Sequence, residues 1–387
     1  VTPIDEAVAD ASARLRALEL GDAFEPRAAA AIVASGLHRL VVPAPFGGFG
    51  ARMTAGLETL MTLGAIDGST ALGFAMQVHV VGALVDAAGV NAELRERVFR
   101  AIVDDGALVN NAATEEGGGS PARGAVPGTT AAAEADGSWR LTGEKTWTTW
   151  LPNLTHAFVS ARIAETDPVE VGLWLVDLSS DGVGRRQGFE ALGMRGSASG
   201  RLVLEHVAVP ADGLVVRRLA SAADPRGPAP GAWFGMAIAA TYLGVGEGAR
   251  FEVARWALER RPGDGRTSVA EVPSVQLRLG RLDAELRAAR IVVLDVARRW
   301  DEAIAGSDPA ALVAAAGDVS LSKLVATRAA VAATDEALRI AGGPGFLSGG
   351  LERAFRDARA GLINPPLEDV ALMGFARDIL GRLEADR

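Results

Sequence analysis

The period of the apolar pattern changes twice along this chain, and no segment can satisfy both periods at once. From Asp5 to about Val103 apolar residues recur at helical spacing, as in "AAAAIVASGLHRLVV" and "GSTALGFAMQVHVVGALVDAAG", with loop punctuation at "PAPFGGFGARM". From about Gly106 to Val216 glycine becomes frequent and short alternating runs take over: "SWRLTGEKTWTT", "HAFVSARI", "VGLWLVDL" and "GRLVLEHVAV". Past the linker "ASAADPRGPAPGA" helical spacing returns and is sustained through "AIAATYLGVGEGARFEVARWALERR" and two further long stretches. Side chains return to one face every 3.6 residues on a helix and every two on a strand, so this order predicts an α+β protein. The expected division is an N-terminal α-helical domain (residues 1–105), a middle β-domain of barrel or sandwich type (106–218) and a C-terminal four-helix-bundle domain (219–387).

Charge and composition remove several functions. The chain has 387 residues and 39 basic against 48 acidic ones, a balance of −9 that argues against a phosphate-backbone partner, so no nucleic-acid role is expected. It has no cysteine, which excludes disulfides, thiolate metal sites and cysteine nucleophiles. Its four histidines, His38, His79, His156 and His206, are isolated in sequence, so no metal site is expected. The segment "VTPIDEAVADASARLRAL" is acidic and amphipathic rather than signal-like, and no run of 18 uninterrupted apolar residues occurs. A cytoplasmic protein with no membrane segment is the expectation.

Two consecutive prolines in "RDARAGLINPPLEDVALMGFAR" interrupt a stretch that otherwise reads as helix. They remove two backbone donors, and the simplest reading restarts the helix with Asn364 as N-cap and Pro365 as first residue.

Within this frame specific motifs resemble the acyl-CoA dehydrogenase superfamily. "ATEEGGGSP", Ala113 to Pro121, is similar to its threonine-glutamate-proline-glycine-x-glycine-serine loop, with Glu116 in place of the proline and Pro121 in place of the closing aspartate. "LTGEKTWTTW" resembles the family's glycine-x-lysine-x-tryptophan-x-threonine strand, and "ALGMRGSASGRLVLEHVAVP" its glycine-x-arginine-x-serine strand pair. "PAPFGGFG", "WALERR" and "LRIAGGPGF" extend the likeness over the whole chain.

The resemblance implies that fold and a flavin. A flavin ring is planar, apolar on its faces and hydrogen-bonding at its edges, so it needs an aromatic surface and short hydroxyls on a rigid sheet. Trp147 would pack on it, Thr114 and Thr149 would bond its edge, and Ser120 in the glycine-rich loop would meet a pyrophosphate. In the family an arginine and a glutamine before a Gly-Gly pair hold the adenine half, partly from a neighbouring subunit. Arg260 takes the first place here, and Arg339 stands where glutamine is usual, before Gly342 and Gly343. FAD is therefore the expected cofactor, with FMN as the alternative, in a homodimer or homotetramer with flavin between the β-domain and the bundle.

The same alignment removes the family's base. Pro365 falls where the catalytic glutamate stands, and Phe234 falls at the second location that some members use. Oxidation of an acyl thioester at Cα–Cβ needs a group to take the α-proton, and Glu368, three residues past Pro365, is the candidate, although acids in a first helical turn are also what the macrodipole favours. Glu247 reads as a packing carboxylate. Gln77 and His79 lie where the family shapes its acyl pocket, with a core role for His79 the stronger alternative. Three functions follow: a dehydrogenase of a CoA- or carrier-protein-bound acyl group, a flavin-dependent monooxygenase using reduced flavin and O2, and a non-catalytic flavin-binding subunit. Their partners would be an acyl thioester or other small apolar substrate, with an acyl carrier protein, an electron-transfer protein or a flavin reductase.

Overall fold

Polar caps start and stop the helices where the apolar period places them. In the computed structural model, which describes residues 2–118, 125–263 and 265–385, α1 (Pro3–Arg16) opens on a reciprocal capping box. The Thr2 hydroxyl accepts from the Asp5 N–H, and the Asp5 carboxylate accepts from the Thr2 N–H at 2.8 Å. Then come α2 (Pro26–Ala34), α3 (Met53–Gly64), α4 (Gly68–Asp86) and α5 (Ala92–Asp105), which ends on Gly106 at φ 67°. The strands are β1 (Val109–Ala112), β2 (Thr130–Ala133), β3 (Trp139–Thr148), β4 (His156–Ile163), β5 (Glu170–Asp177), β6 (Val183–Arg186), β7 (Gly200–Val209) and β8 (Leu214–Leu219). The chain finishes with α6 (Ala229–Glu259), α7 (Pro273–Ala305), α8 (Pro309–Gly317), α9 (Val319–Ala341), α10 (Gly343–Phe346), α11 (Gly350–Ile363) and α12 (Glu368–Ala385). The order is helical, sheet, helical, as the two changes of period require.

Two compact units carry these elements: residues up to Arg52 with Gly73–Ala191 and Arg195–Trp233, and Met53–Leu72 with Leu192–Met194 and everything from Phe234 onward. In the first, the described strands form one mixed sheet in the order β6-β7-β3-β2-β4-β5-β8, with β1 also parallel to β4. No ladder joins its end strands β6 and β8 among the described residues, yet the sheet curls strongly. Cα atoms of β5 and β7 approach within 8 Å although four strand steps separate them, a span of roughly 19 Å in a flat sheet. Trp139 and Trp174 meet edge-on across the inner face at 5.2 Å.

In the second unit α9 carries a stripe of small buried residues, Ala326, Ala330, Ala333 and Ala337, which lets neighbouring helices close in. A Cβ on Gly246 of α6 would lie 2.9 Å from the Ala330 Cα, and one on Gly244 would lie 2.4 Å from the Met61 carbonyl oxygen of α3. The first turn of α3 is capped from α7, where Asp301 accepts from the Met53 and Thr54 N–H groups at 2.8 and 2.9 Å. Gly68–Asp86 and Pro309–Ala341 are long and apolar enough to cross a bilayer, but 94% of the first is buried inside the protein, the position of a core helix.

The double proline behaves differently from expectation. Asn364 is the C-cap of α11, in extended conformation at ψ 136°, and α12 restarts only at Glu368. A residue before proline is pushed out of the helical region, and this applies to Asn364 and to Pro365 alike, so helix resumes only after Pro366. The Asn364 side chain is thereby free of capping duty, and its Oδ1 accepts from the hydroxyl of Tyr242, the chain's one tyrosine, at 2.5 Å.

One close fit is at Gly73, where an added Cβ would lie 2.0 Å from the buried Trp150 indole. Gly73→Ala should lower the urea midpoint by an equivalent of about 1–3 kcal/mol. Gly231→Ala, where a Cβ meets nothing within 4 Å, should leave it unchanged or slightly raised.

Candidate flavin site

A slip in one ladder sets up the site. The β3–β7 register shifts between Lys145 and Thr148, and within the slip Trp147 takes φ 57°, a left-handed conformation that costs an aromatic residue roughly 1–3 kcal/mol. Its neighbours Lys145, Thr146, Thr148 and Thr149 all turn inward, while the Trp147 indole is 56% exposed. It touches Phe189 edge-on at 5.5 Å and 81°, leaving the ring displayed on the sheet. Strain spent to hold an aromatic outward is the build of a stacking surface for a planar ligand.

Buried hydroxyls follow Trp147 in the chain and across the ladder. The Thr149 hydroxyl bonds Ser199 at 3.0 Å, Ser199 bonds Ser197 at 2.8 Å, and the Thr149 carbonyl accepts from the Asn110 amide at 3.1 Å. The Thr148 hydroxyl is buried with no partner among the described residues. Thr114 is exposed, and its carbonyl accepts from the Thr146 N–H at 2.8 Å, which brings Thr114, Trp147 and Thr149 to one corner of the sheet. Ser120 lies outside the described residues.

The loop bearing Thr114 is fastened by a pair that carried no role in the sequence reading. Lys145, with a fully buried side chain, donates to Glu115 at 2.5 Å, and Glu115 also accepts from the Thr129 hydroxyl at 2.6 Å and its N–H at 3.0 Å. Burial alone would raise the Glu115 pKa, but the bonds from Lys145 and Thr129 outweigh it and hold the carboxyl below its usual range. A lysine in the middle of an alternating strand was the available signal, since burying it demands a carboxylate nearby.

In the second unit, Arg260 is exposed just past α6 and Arg339 lies in the last turn of α9. A cluster of Val253, Ala337, Ile340 and Ala341, with Trp256 against it, joins these two helix ends, so both arginines stand at one end of the bundle. Arg339 is engaged by Asp335 of its own helix at 2.7 Å. Gly342, at φ 62°, ends α9, and Gly343 opens α10.

The pocket candidates divide. Gln77 is saturated by backbone: its amide donates to the His38 and Ala107 carbonyls at 2.8 and 3.4 Å and accepts from the Val109 N–H at 2.8 Å. His79 is buried, with Nδ1 3.3 Å from the Ala75 carbonyl, and desolvation pushes its pKa down to about 4. Phe234 is half-buried on α6 and Pro365 half-buried in the α11–α12 break. Glu368 is the first residue of α12 and is paired with Arg328 of α9, whose hydrogen bond lowers the carboxyl pKa. A carboxylate so held is a weaker proton acceptor than a free one. Glu247 pairs with Arg290 at 3.1 Å. Among the described residues no cluster of three metal-ligating side chains occurs.

Comparison with known proteins places this arrangement. Residues 110–207 match the acyl-CoA dehydrogenase middle domain, and residues 233–365 match the acyl-CoA dehydrogenase C-terminal domain. YdbM of Bacillus subtilis (strain 168), whose name places it among the acyl-CoA dehydrogenases, is 33% identical over 89% of this chain and 87% of its own length. The chain belongs to the acyl-CoA dehydrogenase family. It is a flavin-dependent oxidoreductase resembling those enzymes. Butyryl-CoA dehydrogenase from Megasphaera elsdenii superposes with a TM-score of 0.83 at 18% identity, covering 98% of each chain. The dibenzothiophene monooxygenase TdsC from Paenibacillus sp. A11-2, in complex with FMN and indole, superposes with a TM-score of 0.78 at 23% identity, covering 94% of this chain and 93% of its own. The one fold thus spans both reaction classes.

Two outcomes follow from these contacts. Lys145→Met strands the Glu115 carboxylate and should cost about 3–5 kcal/mol in urea unfolding, part of which Glu115→Gln in the same chain should restore. His79 is neutral in the fold and protonates at ~6.5 when unfolded, so its contribution to stability is whole above that pH and is lost as pH falls toward 4. His79→Phe should flatten this part of the pH–stability curve, by up to about 3 kcal/mol at pH 4.

Proposed function

We propose that this family member is a flavin-dependent monooxygenase of a small apolar substrate. The observation that carries the reading is the α11–α12 break: prolines occupy it, Phe234 occupies the second base position, and the nearby Glu368 is neutralised by Arg328. Abstraction of an α-proton from a thioester needs an unencumbered acceptor at the reacting carbon, whereas oxygen transfer needs an apolar, water-poor site. Bound flavin would supply the two-electron redox chemistry. For this chain's residues the proposal gives Trp147 the face of the ring and Thr114 and Thr149 its edge. The displayed indole fits such a ligand. Arg260 is assigned to its phosphate side. FMN is favoured over FAD, because Asp335 already holds the Arg339 guanidinium. Self-association as a dimer or tetramer is proposed from the apolar side chains that the second unit exposes, Leu258, Phe346, Ile379 and Leu380 among them.

The second reading, a dehydrogenase of an acyl thioester, is supported by the 33% identity to YdbM over nearly the full chain. The experiment separates them. Purified protein with FMN, NADH and a flavin reductase should consume oxygen in a substrate-dependent way, and Glu368→Gln should match wild type. Trp147→Ala should lose most flavin retention and fluorescence quenching. Anaerobic bleaching of tightly bound FAD by an acyl thioester, with a drop of 10²-fold or so in Glu368→Gln, would establish the dehydrogenase instead.

A further inference from the structure

Only two of the 39 basic residues are lysines, Lys145 and Lys323, and both are buried. Lys145 has Glu115. Lys323, on α9, is 2% exposed, and its ammonium has no hydrogen-bond or ion-pair partner among the described residues.

Its neighbours show where it lies. Val319, Lys323 and Thr327 follow one another at single-turn spacing and form one buried stripe. At one end, a Cβ on Gly235 would meet Val319 Cγ1 at 2.5 Å and Pro366 Cδ at 3.5 Å. At the other, a Cβ on Gly361 would meet Thr327 Cγ2 at 2.8 Å and the Tyr242 ring at 3.0 Å. Lys323 lies between these two contacts and therefore over the Asn364–Pro365 segment of the break. Tyr242 donates to Asn364 Oδ1, which fixes the amide so that its NH2 is the group left to bond, and that NH2 has no acceptor among the described residues. Where the family keeps a proton-accepting carboxylate, this chain gathers donors.

We propose that Lys323 and Asn364 bind a negatively charged oxygen of the substrate, a carboxylate or phenolate borne on an apolar body. A buried ammonium without a partner is destabilising, and a site that keeps one is pre-arranged for an anion. The charged and titratable groups around Lys323 are few. Glu368 of α12 is tied to Arg328 while its charge also favours the Lys323 ammonium, and Tyr242 of α6, whose phenol is pushed up by burial and then by the Asp357 charge, is tied to Asn364. Burial brings the Lys323 pKa down to about 8, and an anion bound beside it would raise it again. The inference names a substrate class for the oxidoreductase proposed above, while the binding itself is independent of flavin and oxygen.

With two lysines, protein labelled at lysine Cε with 13C gives two resonances, and Lys323→Met removes one and so assigns both. Adding benzoate to wild type should shift the Lys323 resonance saturably and raise its titration midpoint from about 8 by roughly one unit or more, leaving Lys145 unmoved. Benzamide, the uncharged match, should do neither. Lys323→Met should weaken benzoate binding at least about tenfold and raise the thermal midpoint, since it removes an unpaired buried charge. A Lys323 resonance indifferent to both benzoate and acetate would overturn the proposal. So would an equal response to benzamide, or a Lys323→Met protein with a lower thermal midpoint and unchanged benzoate binding. Failure of the oxygen-consumption assay leaves this resonance test intact, so the two readings fall separately.

Discussion

The buried contact between Lys145 and Glu115 sets the terms for the flavin corner. A lysine with no solvent exposure must bring a carboxylate in after it, and the residue that answers is on the glycine-rich loop rather than on the sheet. That fixes where the loop starts, and with it Thr114. The same lysine is the last residue in register before the β3–β7 ladder slips, so the pair also anchors one side of the strained turn that holds Trp147 outward. Loop, bulge and exposed indole are one mechanical unit.

A second constraint works in the helical unit by subtraction. Two prolines forbid helix at Asn364 and Pro365, and the chain crosses this gap in extended form. An extended segment cannot satisfy its polar groups internally, so it recruits Tyr242 and lies under the α9 stripe. The same gap removes the helical position from which a base would project. Loss of the carboxylate and gain of the donors are two consequences of one change in backbone.

What the sequence revealed was whatever is written in period and motif. Helix, sheet and helix could be read from spacing alone, and the corner of Thr114, Trp147 and Thr149 from local strings. α12 starts three residues later than sequence alone suggests, because Pro366 excludes Pro365 from the helix just as Pro365 excludes Asn364. Glu115 and Lys145 are 30 residues apart, and Tyr242 and Asn364 are 122 apart. No periodicity links such pairs, so they stay invisible until the chain is folded. Gln77 illustrates the converse: a polar residue on an apolar helix looks functional in sequence, yet its partners are backbone groups of His38, Ala107 and Val109.

Lysine usage gives these points a common form. With 39 basic residues and only two lysines, the chain meets nearly every need for positive charge with arginine, whose planar fork suits exposed carboxylates such as Asp212 and Glu302. Arginine fails where the space is narrow or where the charge must respond to its surroundings, because the guanidinium is wide and does not deprotonate in proteins. Lys145 fits the first condition, threaded inside a sheet to reach one carboxylate. Lys323 fits the second, its pKa brought down to about 8 by burial. The two lysines thus mark the two places in the molecule where a compact cation is required by the geometry around it.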